Sequence, residues 1–170
     1  GGEALVELHN FPTLSTVTSF NFSTYNNNLL HNLTKVPNFL PSNITNMIGM
    51  FFNASAFNQP LNNWNVSSVT NMEAMFVGAT SFNQPLNNWN VSNVTNMLGM
   101  FYNALAFNQD LNNWDVSNVI NMQEMFANTS ASAFNQDISM WDVSSVTNMY
   151  GMFVNASAFN QDLNNWDVSN

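Results

Sequence analysis

The side chains with most chemical potential in this sequence are carboxylates held in register. Asp110, Asp137 and Asp162 share one position of a recurring pattern, and Asp115, Asp142 and Asp167 share another. Carboxylates at fixed spacing can hold a hard divalent cation through oxygen alone. They can also act as an acid/base pair when their environments push their pKa values apart. Copies of one repeat position share one environment, so the acid/base reading falls away. Adjacent coils of a stacked repeat lie about 5 Å apart, and aligned carboxylates repel unless solvent or a cation intervenes. Calcium between coils is therefore the metal reading of Asp110, Asp137 and Asp162. A solvated acidic face is the plainer one, and it is favoured because the spacing departs from glycine-rich calcium loops. His9 and His31 are the only histidines, and neither has a recognisable Ser, Asp or Glu arrangement around it. With no cysteine, thiolate nucleophiles, thiolate metal sites and disulfides are excluded. The expectation is a non-enzymatic protein without a cofactor.

The elements that carry these residues follow from composition and repetition. The chain has 170 residues, of which 45% are hydrophobic and 14% aromatic, enough for a substantial core. Only 6% are charged, Lys35 is the sole Lys or Arg, and the net charge is -9. Nucleic acid is excluded as a partner because phosphate neutralisation needs clustered Lys and Arg. No apolar run reaches about 18 residues, so no membrane-spanning helix is expected. Asn makes up about a fifth of the residues, which suits turns, caps and stacked ladders better than helix interiors.

Phe-Asn-Gln-Pro/Asp-Leu/Ile recurs at Phe57, Phe82, Phe107, Phe134 and Phe159, about 25 residues apart. A two-residue insertion between Ala127 and Ala133 marks an outward loop. Trp64, Trp89, Trp114, Trp141 and Trp166 keep the same register, as do Val66, Val91, Val116, Val143 and Val168. Trp-x-Val predicts a short strand with both residues inward, so the tryptophans form a buried spine or, less economically, a stacked ligand surface. Met72, Met75, Phe76 and Ala79 sit at i, i+3, i+4 and i+7, which predicts a short helix or helical turn. Thr70 and Glu73 read as its capping box, with Thr45, Thr95 and Thr147 as the corresponding caps elsewhere. The expected architecture is an α/β solenoid: a leucine-rich-repeat-like right-handed superhelix of strand-plus-short-helix coils. Residues 1–35 form a divergent N-terminal cap and residues 36–170 the repeat solenoid, incomplete at its C-terminus.

Read from Phe107, one copy runs Phe-Asn-Gln-Asp-Leu-Asn-Asn-Trp-Asp-Val-Ser-Asn-Val, and from Trp89 another runs Trp-Asn-Val-Ser-Asn-Val-Thr-Asn-Met. Over about residues 39–170 this resembles the BspA-like leucine-rich-repeat surface proteins, in the Trp-Asp-Val-Ser-Asn-Val-Thr-Asn-Met branch known from mycoplasma surface lipoproteins. The resemblance implies an extracellular or cell-surface solenoid used for adhesion or host contact. The chain departs from that family in its lack of a lipid-anchor Cys and in its near absence of Lys.

Two functions are expected from this reading. In the first, the concave sheet face binds a protein or glycan on another surface through Asn63, Asn65, Asn88, Asn90, Asn113, Asp115, Asp142, Asn165 and Asp167. In the second, the uncapped last coil docks on the next subunit, and a head-to-tail homo-oligomer builds an extracellular filament or surface layer. A cut from a longer array accounts for the open end equally well. Stacked amides at Asn71, Asn96, Asn121 and Asn148, and at Asn58, Asn83, Asn108, Asn135 and Asn160, are expected to form structural ladders. Several Asn residues lie in glycosylation sequons, with Asn128, Asn53 and Asn155 the candidates of interest.

Overall fold

The computed structural model describes residues 6–7, 32–129 and 134–169. Most of the N-terminal cap expected over residues 1–35, with His9 and His31, lies outside the described residues. Of that region, strand β1 (Val6–Glu7) pairs in parallel with β2 (Leu33–Lys35). Beyond β2 each coil is bonded to the next one. Parallel bridges link Asn46 to Asn71, Asn71 to Asn96, Asn96 to Asn121 and Asn121 to Asn148.

The backbone alternates its partners through the segment that carries the buried methionines. The amides of Met72, Ala74, Phe76 and Gly78 donate to the carbonyls of Asn96, Leu98, Met100 and Tyr102 in the following coil, at 2.8–3.0 Å. The amides of Met75, Val77 and Ala79 turn back to Met72, Ala74 and Phe76, and Glu73 N donates to Asn71 Oδ1 at 2.9 Å. Every amide from Met72 to Ala79 is thereby satisfied, half of them across coils. Residues 47–54 repeat the arrangement one coil earlier.

This differs from the expected helix. Among the described residues there is no α-helix, and Met72–Phe76 is a run of turns. The physical reason is a pair of left-handed residues per coil: Gly49 and Asn53, Ala74 and Gly78, Gly99 and Asn103, Glu124 and Asn128, Gly151 and Asn155, with φ between 53° and 66°. Each reverses the backbone hand, so a helix cannot propagate, and alternate amides point at the neighbouring coil. The capping box does not form. Thr70 Oγ1 donates back to Thr45 O at 3.2 Å, and Glu73 Oε2 accepts from Asn96 Nδ2 at 3.0 Å.

The core is a set of columns running coil to coil. Phe51, Phe76, Phe101, Phe126 and Phe153 stack at centroid distances of 5.2–5.8 Å. Phe57, Phe82, Phe107, Phe134 and Phe159 make a second column at 5.8–6.2 Å. Within each coil the two rings meet at 4.0–4.3 Å. Trp64, Trp89, Trp114 and Trp141 are buried beside them. Their indole N–H groups are satisfied by the preceding coil: Trp89 Nε1 donates to Leu61 O at 3.1 Å and Trp114 Nε1 to Leu86 O at 2.9 Å.

Among the described residues no helix is long and apolar enough to cross a membrane.

Candidate recognition surface

The proposed contact residues are laid out by the turn that follows each Leu-Asn-Asn. Leu61 and Trp64 face the core, joined by a turn in which Trp64 N donates to Leu61 O at 3.0 Å. Val66 is buried again, so the residue between Trp64 and Val66 must project outward. In the first copy that residue is Asn65, whose Oδ1 accepts the Ser67 amide at 3.1 Å. The same bond is made by Asn90 to Ser92, Asp115 to Ser117, Asp142 to Ser144 and Asp167 to Ser169, each at 3.1 Å. The serine hydroxyl adds a second, shorter donation of 2.6 Å to Asp115 and to Asp142.

This edge is a column of side-chain-capped turns. No parallel bridge joins the Trp-x-Val segments among the described residues, where a strand ladder and a concave sheet face were expected; the bridges lie at the Asn71 position instead. Asn63, Asn65, Asn88, Asn90, Asn113, Asp115, Asp142, Asn165 and Asp167 are all exposed along it. Neighbouring turns are tied by Asn93 Nδ2 to Ser67 O at 2.7 Å and Asn118 Nδ2 to Ser92 O at 2.8 Å. Hydrogen bonds from the Ser144 hydroxyl and then its amide hold the Asp142 carboxyl below its ordinary range. Asp167 is lowered in the same way by Ser169, partly opposed by the Asp142 charge one coil back.

Asp110, Asp137 and Asp162 occupy the position held by Pro60 and Pro85 in earlier coils. Each accepts an amide two residues on, from Asn112, Ser139 and Asn164, at 2.8–2.9 Å. Asp137 is lowered by the Ser139 amide first and its hydroxyl second. Proline sets this turn by its ring and aspartate sets it by its carboxylate. Among the described residues no group of three or more His, Asp or Glu converges as a metal site.

The Asn ladder is continuous. Asn58 Oδ1 accepts Asn83 N at 2.9 Å and Gln84 Nε2 at 3.0 Å, and the pattern repeats from Asn83 to Asn108, Asn108 to Asn135 and Asn135 to Asn160. The Asn71 column caps its own turns, with Asn71, Asn96, Asn121 and Asn148 each accepting an amide two residues on.

The glycosylation candidates Asn53, Asn128 and Asn155 all sit at left-handed positions. Asn128, expected in the bulged loop, is instead half-buried, donating to Tyr102 Oη at 2.7 Å and accepting from Asn155 Nδ2 at 2.8 Å. The left-handed columns were missed in the sequence. Their signal was legible, because Gly49, Gly99 and Gly151 recur at one position and Asn53, Asn103, Asn128 and Asn155 four residues later.

Residues 18–133 and again 129–170 match the family described as Mycoplasma protein of unknown function, DUF285. The chain belongs to that family. The two matches together cover every coil of the ladder from Asn46 to Asn148. Neither the curated proteins nor the solved structures give a match.

Proposed function

We propose that this DUF285 chain is an extracellular, surface-displayed recognition module without enzymatic activity, of the BspA-like leucine-rich-repeat kind, built as a right-handed solenoid. It binds a protein or glycan on another surface through the exposed Asn and Asp edge. One observation supports this reading above the rest: an outward Asn or Asp between Trp and Val returns on every coil, pinned by the same hydrogen bond, with Asn before the Trp in every coil but that of Met140. Asn65, Asn90, Asp115, Asp142 and Asp167 each cap the amide two residues on, leaving Asn63, Asn88, Asn113 and Asn165 exposed at matching positions. A rigid polar comb of this kind loses little conformational entropy when it docks, which favours binding by repeated weak polar contacts.

The test is retention of the purified chain on cultured host cells and on a glycan array, with its mass followed by light scattering. Asn63→Lys, Asn88→Lys and Asn113→Lys together should cut retention at least about tenfold, a loss of about 1.4 kcal/mol, while the circular dichroism spectrum is unchanged. Unchanged retention in the triple variant would remove this edge from the reading. Growth of linear particles with concentration and without ligand would favour the filament function in its place.

A further inference from the structure

The capped edge leaves a second outward surface unexplained. In the first three coils the ladder segment turns Met, Met, Phe and Ala inward, as Met47, Met50, Phe51 and Ala54 do, and in the fourth Thr129 takes the place of the Ala. Two positions between them carry mostly half-buried or exposed side chains, Ala127 in the fourth coil being buried, and their identities change from coil to coil. One column reads Ile48, Glu73, Leu98, Gln123 and Tyr150, and another reads Phe52, Val77, Tyr102, Ala127 and Val154. On the capped edge the outward residues are nearly constant, because their side chains close turns. In the ladder columns the coil-to-coil bonds run through the backbone, so the fold leaves side-chain identity open.

The residues found there are nevertheless largely apolar. Ile48, Phe52, Val77, Leu98 and Tyr102 are each only half-buried. Val77 and Tyr102 meet around Gly99, where an added Cβ would lie 3.9 Å from Val77 Cγ2 and 3.7 Å from Tyr102 Cβ. Accessible apolar side chains recurring coil after coil in the Phe52, Val77 and Tyr102 column, flanked by Ile48 and Leu98, mark a contact surface on a chain this polar. Its charges have one sign. Glu73 lies in the first column, and Glu124 lies at the left-handed position beside the second, its Cγ 3.3 Å from a Cβ placed at Gly151. With a net charge of -9, the molecule attracts a basic partner and repels an acidic one.

From this combination we infer that the ladder face is a second binding surface, distinct from the capped edge, and that its occupant is a basic polypeptide segment bearing aliphatic or aromatic side chains. The apolar side chains of the partner cover Ile48, Phe52, Val77, Leu98 and Tyr102, and its cationic groups meet Glu73 and Glu124. The coil-to-coil variation then sets which side chain each coil accepts.

A synthetic alternating Lys-Leu peptide probes this by titration calorimetry against the full chain. It should bind, and an alternating Lys-Ser peptide of equal charge should bind at least about tenfold more weakly. Val77→Ser with Leu98→Ser should weaken the Lys-Leu peptide about tenfold. Glu73→Gln with Glu124→Gln, which keeps the acceptor used by Asn96, should weaken it about three- to tenfold and flatten its salt dependence. Asp115→Asn with Asp142→Asn removes the same charge from the capped edge and should change binding less than about twofold. Equal binding of the Lys-Ser peptide, equal losses from the two charge-removing pairs, or no binding at all would overturn the inference. Displacement of the peptide by a neutral oligosaccharide would overturn it in favour of a glycan. Cell retention through Asn63, Asn88 and Asn113 stands or falls separately, since the Val77, Leu98, Glu73 and Glu124 variants leave that edge untouched.

Discussion

Each coil has two halves that solve the same problem in opposite ways. In the ladder half, residues 45–54 and their copies, neighbouring coils are joined backbone to backbone, and the outward side chains are free to vary. In the Trp half, residues 61–69 and their copies, the coils are joined mainly by side chains: an indole N–H to a carbonyl, and an Asn amide to a Ser carbonyl. There the outward residues are nearly constant from coil to coil. Where the backbone makes the bonds, sequence is released. Where side chains make them, sequence is fixed.

The largest expected effect comes from the core that both halves share. Phe101 is fully buried and stacks on Phe76, Phe107 and Phe126, so Phe101→Ala should cost about 3–5 kcal/mol in chemical denaturation. On the Trp side, Trp114→Phe keeps an aromatic ring but removes the indole donor, leaving the Leu86 carbonyl with the Trp89 amide alone, for an expected loss of about 0.5–1.5 kcal/mol by the same measurement. A loss below a few tenths of a kcal/mol would show that water replaces the indole, and would weaken the contrast between the halves.

On the ladder side the test is conformational. Ala74 holds a φ of 54°, so Ala74→Gly should stabilise the chain by about 0.5–1 kcal/mol, the relief of left-handed strain less the added chain entropy. Destabilisation would mean that the methyl group packs usefully enough to outweigh its strain.

How much of this was legible depended on which property was read. Burial follows side-chain spacing, and Met72, Met75, Phe76 and Ala79 are all buried as their spacing requires. Backbone conformation does not follow from that spacing alone. A helix places i, i+3, i+4 and i+7 on one face, and so does a chain of tight turns interrupted by left-handed residues. Gly49, Gly99 and Gly151 carried the deciding information, and a repeated glycine inside a helical pattern argues against the helix. The Trp edge was misread as a strand for a related reason: Trp-Asn-Val alternates in and out, but the Asn side chain closes a turn on Ser67 before a strand can form. The outward placement of Asn63, Asn65 and Asp115 was legible because alternation fixes direction in either conformation.

The smallest effect is electrostatic and belongs to the capped edge. Asp137, Asp142 and Asp167 have pKa values lowered from 3.8 by serine hydrogen bonds, so folding favours their ionised forms. That stabilisation is fully present above the unfolded value and is lost as pH falls through the lower folded values. Stability should therefore decline on acidification below about pH 4. Asp142→Asn, the residue type that Asn65 and Asn90 already place there, should flatten the decline in a denaturation series across pH.

The indole bonds have a consequence beyond stability. Trp89, Trp114, Trp141 and Trp166 reach Leu61, Leu86, Leu111 and Ile138, the equivalent carbonyl of whichever coil comes before. A coil therefore meets the same receiving surface regardless of which copy precedes it. A gene encoding such a chain can gain or lose one whole repeat by unequal recombination, and the junction is already native. The length of the array, and with it the distance over which both faces extend, becomes a heritable quantity adjustable in steps of a single coil.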